Sequence, residues 1–345
     1  MKIYNSICIK EELDDFVVTE VPCLPAGITN DLSQAKYTVL KLTKRELTSF
    51  EAIRLLAGAL ELNVRQVQCL GLKDEDGITE QLVSVEAILS EPDICRLEKR
   101  LEQTEFSIQL ELSCYTTLPL VVKRLHGNLF RIRLRHMTNE QAVRLYESLQ
   151  KDPKLAFLNY YDQQRFGLPG GPYVTHKIGE ALVGGDLMKA IRYYAESGNA
   201  PLDGINSKDI SADVFENINP RKKDFFVSAY TSYLWNESVA EIIQSGGSPV
   251  SSLNIHDGNY VVTCRDPKIE AVHYIDGYEV DDGGQVQEYK KGRSSVVLTN
   301  VFAEPPLKGA DDSSLIINLF LPMGCYATMA IKQLVAVRLA TKELV

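Results

Sequence analysis

Lys73 and Asp74 stand side by side in a glycine-bounded stretch, Gly71-Leu72-Lys73-Asp74-Glu75-Asp76-Gly77-Ile78-Thr79-Glu80-Gln81. A cation beside a carboxylate keeps it ionised, and an ionised carboxylate is a nucleophile or a base. Taken alone, a lysine–aspartate dipeptide in a loop is more often a solvated turn. The stretch is not a phosphate-binding loop, because G-x-x-x-x-G-K-[ST] is absent. A second stretch, Asn159-Tyr160-Tyr161-Asp162-Gln163-Gln164-Arg165-Phe166-Gly167, interleaves aromatics with amides and an arginine. Those residue types stack bases and bind phosphates, and the same aromatics equally suit a packed seam between domains. A third, Leu321-Pro322-Met323-Gly324-Cys325-Tyr326-Ala327-Thr328, reads as an apolar strand ending in a glycine turn that presents Tyr326.

The elements that must position these groups follow from pattern. Phe16 to Val21 and Tyr37 to Leu42 have the β-branched and aromatic content of strands. Thr48-x-x-Glu51 is a capping box, and Phe50, Ile53, Ala57 and Leu60 recur behind it at helical spacing, which predicts an amphipathic helix over 48–62. Gln81 to Val85 reads as the strand after the Asp76-Gly77 turn. The charged segment 91–103 reads as a surface helix, and Phe106 to Leu112 as a strand. Asn128 to Arg135 alternates cleanly, with Phe130, Ile132 and Leu134 on one face and Arg131, Arg133 and Arg135 on the other. Thr138-x-x-Gln141 opens a helix to Gln150 with Ala142, Leu145 and Leu149 inward. Glycine and proline density rises after Asp152, so 155–300 reads as a second domain with long loops. Ile316 to Leu321 returns to strand character before a closing helical segment over 326–341.

The chain has 345 residues and a net charge of −9, with 45% hydrophobic and 24% charged residues. This is the make-up of a globular protein with a sizeable core, in about two domains. A net negative chain is not drawn as a whole to phosphate or to an anionic membrane. Between Lys123 and Arg165, however, nine basic residues oppose four acidic ones, a local excess of +5. Such segregation suits a phosphate-tracking groove, or equally a charged edge strand. No stretch approaches the roughly 20 apolar residues of a membrane helix, and the first residues lack the apolar core of a secretory signal. Seven scattered cysteines without a C-x-x-C pair, and five histidines without H-E-x-x-H spacing, predict reduced thiols and no metal site.

In collinear order the stretches resemble the TruD-type tRNA pseudouridine synthase family. Asp15-Phe16-Val17-Val18 matches its DFxV strand, and GLKDEDGITEQ (71–81) its G-x-K-D-x-x-A-x-T-x-Q signature. Gly127-Asn128-Leu129-Phe130 matches GN-x-F, and NYYDQQRFG (159–167) matches N-Y-F-G-x-Q-R-F-G. Ser232-Tyr233-Leu234-Trp235-Asn236 and LPMGCYAT (321–328) match S-x-L-F-N and LP-x-G-[SF/SY]-AT. The resemblance implies an α+β fold. Residues 1–154 and 302–345 would form a pseudouridine-synthase catalytic domain, a mixed sheet with flanking helices, carrying an inserted TruD-type domain over 155–301. It implies isomerisation of a uridine in tRNA, at position 13 of the D-arm, to pseudouridine without a cofactor. Asp74 would be the nucleophile. Phe16 and Tyr326 would stack on the flipped base, Asn128 would hydrogen-bond its edge, and Phe130 would wall the pocket. Lys73, Lys10 or Arg165 would keep Asp74 ionised. The implied protein is a cytoplasmic monomer whose partner is tRNA, with no membrane association.

The sequence also departs from the family pattern. Glu75 and Asp76 replace residues that are usually basic, and Gly77 replaces the usual alanine. Residues 116–120 lack the usual basic content. NYFG has become Asn159-Tyr160-Tyr161-Asp162, and the Arg-Glu-Leu after the AT motif is Lys332-Gln333-Leu334. These changes thin the RNA-contacting charge while leaving Asp74 in place. The alternative reading is therefore a catalytically weak or inactive RNA-binding or tRNA-folding paralogue.

Overall fold

The computed structural model describes residues 1–4, 6–23, 25–71, 73, 77–102, 107–121, 124–167, 172–197, 215, 218, 220–245, 250–255, 258–263, 272–281 and 283–339. The chain begins with short strands β1 (Lys2–Tyr4) and β2 (Ile7–Cys8), then β3 (Phe16–Pro22), β4 (Ile28–Thr29) and β5 (Tyr37–Arg45). Next come β6 (Val67–Cys69), β7 (Ile78–Val85), β8 (Ser107–Thr116), β9 (Leu125–Met137) and β10 (Lys154–Leu158). Two separate hairpins follow, β11 (Val250–Ile255) with β12 (Gly258–Thr263), and β13 (His273–Val280) with β14 (Val286–Arg293). Strands β15 (Val296–Ala303), β16 (Leu307–Lys308) and β17 (Ser313–Pro322) complete the large mixed sheet, whose main path runs β10-β15-β17-β9-β3-β7-β5-β8-β4. The fold class is α+β.

The residues fall into two compact units. The first comprises Met1–Lys154 with Thr299–Gly324, and the second Leu155–Leu298 with Cys325–Val345. In the second unit Tyr326, Met329 and Ala336 pack in the cluster that holds Leu158, Tyr160 and Trp235.

In the first unit three capped helices lie along the sheet: α1 (Ser49–Ala59), α2 (Glu91–Leu101) and α3 (Asn139–Lys151). Each begins at a reciprocal capping box, Thr48 with Glu51, Ser90 with Asp93 and Thr138 with Gln141, which satisfies backbone N–H groups the first turn leaves open. Ile53, Leu56 and Ala57 of α1 and Ile94, Leu97 and Leu101 of α2 cover Leu40, Leu42, Val83 and Val85. Phe50 does not join them. It is 67% exposed, because the buried stripe of α1 runs through Ser49, Ala52, Ile53, Leu56 and Ala57 instead. Ala142, Leu145 and Leu149 of α3 are buried as the pattern predicts.

His136 sits in the left-handed region at φ +57°. Its Nδ1 lies 2.7 Å from Asp312 and its Nε2 2.8 Å from Glu11. Hydrogen bonding to Glu11 and Asp312, with their charge, raises its pKa above the ordinary 6.5. A raised histidine pKa contributes stability that is complete below 6.5 and is lost as pH rises through the folded-state value. His136→Asn keeps a residue tolerant of that backbone. Its stability deficit against wild type, read from urea midpoints between about pH 5 and about pH 9, is expected to shrink as pH rises.

The second unit is built from α4 (Thr175–Val183), α5 (Leu187–Glu196), α6 (Pro220–Ser245), α7 (Ala327–Leu339) and the two hairpins. Trp235 of α6 is fully buried, and its indole N–H donates to the Asn159 carbonyl at 2.8 Å. Lys332 of α7 and Asp162 form an ion pair at 2.7 Å with both side chains 0% exposed. The Asp162 carboxylate also accepts the Gln163 amide at 2.7 Å. Lys332→Met strands a buried carboxylate and is expected to cost about 3–5 kcal/mol in urea unfolding. Adding Asp162→Asn keeps the cap while removing the charge, and should recover most of that loss.

Candidate active site

Strand β3 pairs in parallel with β7, Val17 opposite Ile78 and Thr19 opposite Glu80. That register brings the carbonyl of Phe16 against Gly77. Gly77 has φ +136°, and a Cβ there would lie 2.3 Å from the Phe16 oxygen. Only glycine fits. On the other side of the signature, Gly71 and Lys73 are held by side chains from three elements. Ser49, the first residue of α1, accepts the Lys73 amide at 2.8 Å and donates to Gln81 Oε1 at 2.9 Å. Gln81 Nε2 reaches the Gly71 carbonyl at 3.4 Å. The Lys73 ammonium lies 2.5 Å from Glu20 Oε1, with the two side chains 6% and 2% exposed. Glu20 Oε2 accepts the Leu82 amide at 2.9 Å. Burial raises the Glu20 pKa, although Lys73 and the Leu82 amide pull it down.

The first unit also gathers Phe16, Phe130, Lys10 and Asn128. Phe16 and Phe130 are neighbours on one sheet face, with ring centroids 5.9 Å apart at 59°. The Lys10 ammonium stands 4.2 Å from the Phe16 centroid, a cation–π distance. Phe16 is buried, and the cation occupies one of its faces. Asn128 pairs with Glu20 and Leu321 across the sheet. Its Oδ1 is buried with no hydrogen-bond donor among the described residues, and the same holds for Thr79 Oγ1. Asp74, Glu75 and Asp76 lie outside the described residues.

In the second unit Tyr326 meets Tyr161 edge-on at 5.8 Å. Burial pushes the Tyr326 hydroxyl up to about 12, against the opposing charge of Arg165. Burial also works to raise Tyr161, but the charges of Arg293 and Lys291 outweigh it and lower its pKa. Their cations stand 4.3 and 5.2 Å from its ring centroid. Arg165 donates to Ser228 at 2.6 Å and Ser232 at 3.2 Å, and lies over Phe225. Among the described residues, no group of three or more His, Cys, Asp or Glu side chains could hold a metal ion. No helix among them is long and apolar enough to cross a membrane.

The family model for tRNA pseudouridine synthase D (TruD) matches residues 6–201. The chain belongs to the TruD family. It is 33% identical over 184 residues to tRNA pseudouridine synthase D of Geobacter metallireducens, covering 53% of this chain and 42% of that one. To the Wolinella succinogenes protein of the same name it is 26% identical over 237 residues, covering 67% and 52%. To the human pseudouridylate synthase PUS7L it is 28% identical over 257 residues, covering 62% and 36%. The chain thus spans about half or less of the length of these relatives. A crystal structure of a candidate TruD from Methanosarcina mazei shares the fold, with a TM-score of 0.59 at 17% identity, covering 96% of this chain and 94% of that one.

Several departures from the TruD pattern have a physical account. Glycine in place of alanine at 77 is required by the close approach of the Phe16 carbonyl. Aspartate in place of glycine at 162 is matched by the buried ammonium of Lys332, which stands where the family has arginine. Gln333, in place of glutamate, both accepts the Leu158 amide at 2.9 Å and donates to the Leu158 carbonyl at 2.9 Å. A glutamate could only accept.

The arginine face of β9 is paired with carboxylates. Arg135 lies 2.7 Å and Arg133 3.8 Å from Asp15, which is fully buried, and Arg131 lies 3.1 Å from Glu304. Burial tends to raise the Asp15 pKa, but Arg135 and the Glu12 amide hold it below the usual carboxylate range. The sequence showed three aligned cations and not the carboxylates brought to them by Asp15, just before β3, and Glu304, just after β15. Glu20 and Ser49 were likewise not read as site residues, although Gln81 lies within the signature that marks the loop. Gly77→Ala restores the family's residue, yet here it is expected to destabilise the chain by about 1–3 kcal/mol from backbone strain before any clash is counted. Thermal or urea unfolding measures this directly.

Proposed function

We propose that this chain is an isomerase converting a uridine in tRNA, at position 13 of the D-arm, to pseudouridine. The family match over 6–201, a span that contains Asp74, carries the reading. Its support is the buried fastening of Lys73, the residue next to Asp74 in sequence. The target base would leave its stack at a cost of a few kcal/mol. Asp74 would attack C1′ as the glycosidic bond breaks, and the base would turn. Its C5 would then bond to C1′ as the C1′–Asp74 bond breaks and returns the carboxylate; the C5 proton is lost to solvent and N1 takes one up. Asn128 Oδ1, without a donor among the described residues, suits the N3–H of uracil. Tyr326 would supply a stacking face, and Phe130 would wall the pocket. Of the three cations named for Asp74, Lys73 is committed to Glu20 and Arg165 is bonded to two serines. Lys10 stands over Phe16. The reaction rearranges one nucleotide and needs no cofactor. The reading includes a cytoplasmic monomer, with residues 1–154 and 302 onward forming the catalytic part around an insertion.

Tritium release from C5-labelled uridine in tRNA reports this chemistry. Wild type is expected to release tritium, and Asp74→Asn to fall by about three orders of magnitude or more. Equal release by both removes Asp74 from the mechanism. Salt-sensitive tRNA binding without release would favour the non-catalytic RNA-binding alternative.

A further inference from the structure

Lys73, the residue just before Asp74 in sequence, is fastened through both its backbone and its side chain. Its amide donates to the Ser49 hydroxyl at 2.8 Å, and its ammonium is held by Glu20 at 2.5 Å. Ser49 has one hydroxyl proton, and that proton is directed to Gln81 Oε1 at 2.9 Å. A lone pair is thereby left facing the Lys73 amide. Ser49 itself cannot drift, because it is the first residue of α1, behind the Thr48–Glu51 capping box, and is 2% exposed. Gln81 is 2% exposed and is fixed in β7.

A buried ion pair is a poor way to gain stability, since an apolar pair of similar shape does as well or better. What the pair does supply is direction. It sets where the Lys73 side chain goes and uses its charge on Glu20. The Ser49 bond sets where the peptide goes. We propose that Ser49 and Glu20 are positioning residues for the reaction, acting on Asp74 through the Lys73 amide and ammonium that they hold. The inference rests on the reading of Asp74 as the nucleophile. A displacement of about 1 Å at a reacting group is enough to lower a rate about 100-fold.

The test uses the full chain in single-turnover and steady-state tritium release with tRNA. Ser49→Ala and Glu20→Gln are each expected to lower kcat about 10- to 100-fold with KM for tRNA within about twofold of wild type. Ser49→Thr, which keeps the hydroxyl, should recover most of the rate. Amide hydrogen exchange supplies a readout independent of turnover, since loss of the Ser49 acceptor should speed exchange in the 71–77 peptide about tenfold while distant helices are unchanged. Unchanged kcat in Ser49→Ala overturns the proposal, as does a fall in kcat confined to variants that melt early. Unchanged exchange in Ser49→Ala also overturns it. If wild type releases no tritium, the functional reading fails on its own, and the exchange experiment alone decides whether Ser49 holds the loop.

Discussion

A buried ammonium and a buried carboxylate must meet, or the fold bears an unpaired charge. Glu20 and Lys73 satisfy that demand between β3 and the approach to β7. The same carboxylate accepts the Leu82 amide, so one side chain joins the N-terminal strand, the signature loop and the strand that follows it. The parallel register of β3 and β7 is the backbone expression of this constraint. It also brings the Phe16 carbonyl so close to position 77 that no side chain fits there. The described residues on either side of 74–76 are both constrained, Lys73 by charge and hydrogen bonding and Gly77 by the close approach of the Phe16 carbonyl.

Two of the departures from the TruD pattern look like losses in the sequence and are compensated in the structure. A carboxylate in place of glycine at 162 would be costly to bury alone. It is buried with Lys332, from a helix 170 residues further along the chain. Exchange of a glutamate for Gln333 supplies an amide able to both give and receive, which is what the two backbone groups of Leu158 require. The departures at 162, 332 and 333 are therefore one packing solution within the second unit.

Local rules made much of the fold legible. Capping boxes at Thr48 and Thr138 start helices where the spacing says they should, because the side chain and the backbone it caps are neighbours in sequence. Alternation over 128–135 gave the two faces of β9 for the same reason. Phe50 was misread because a helix start admits two overlapping apolar stripes, and only the sheet beneath α1 chooses between them. The partners of the arginine face were not legible at all. Asp15 reaches Arg133 and Arg135 across 118 and 120 residues of chain, and Glu304 reaches Arg131 across 173. Nothing in the spacing of the arginines reports a carboxylate delivered from so far along the chain.

The site follows the same division. The signature stretch could be located from its residue types, but the assignment of its lysine could not. Beside Asp74 in sequence, Lys73 is the obvious cation for it, yet its charge is taken by a carboxylate that sequence spacing does not report. The ammonium finds Glu20, and its own amide, not its charge, is what Ser49 holds. A residue next to a reactive group can thus matter by fixing the peptide that leads to it. Its charge can meanwhile be consumed by the carboxylate that keeps it in place.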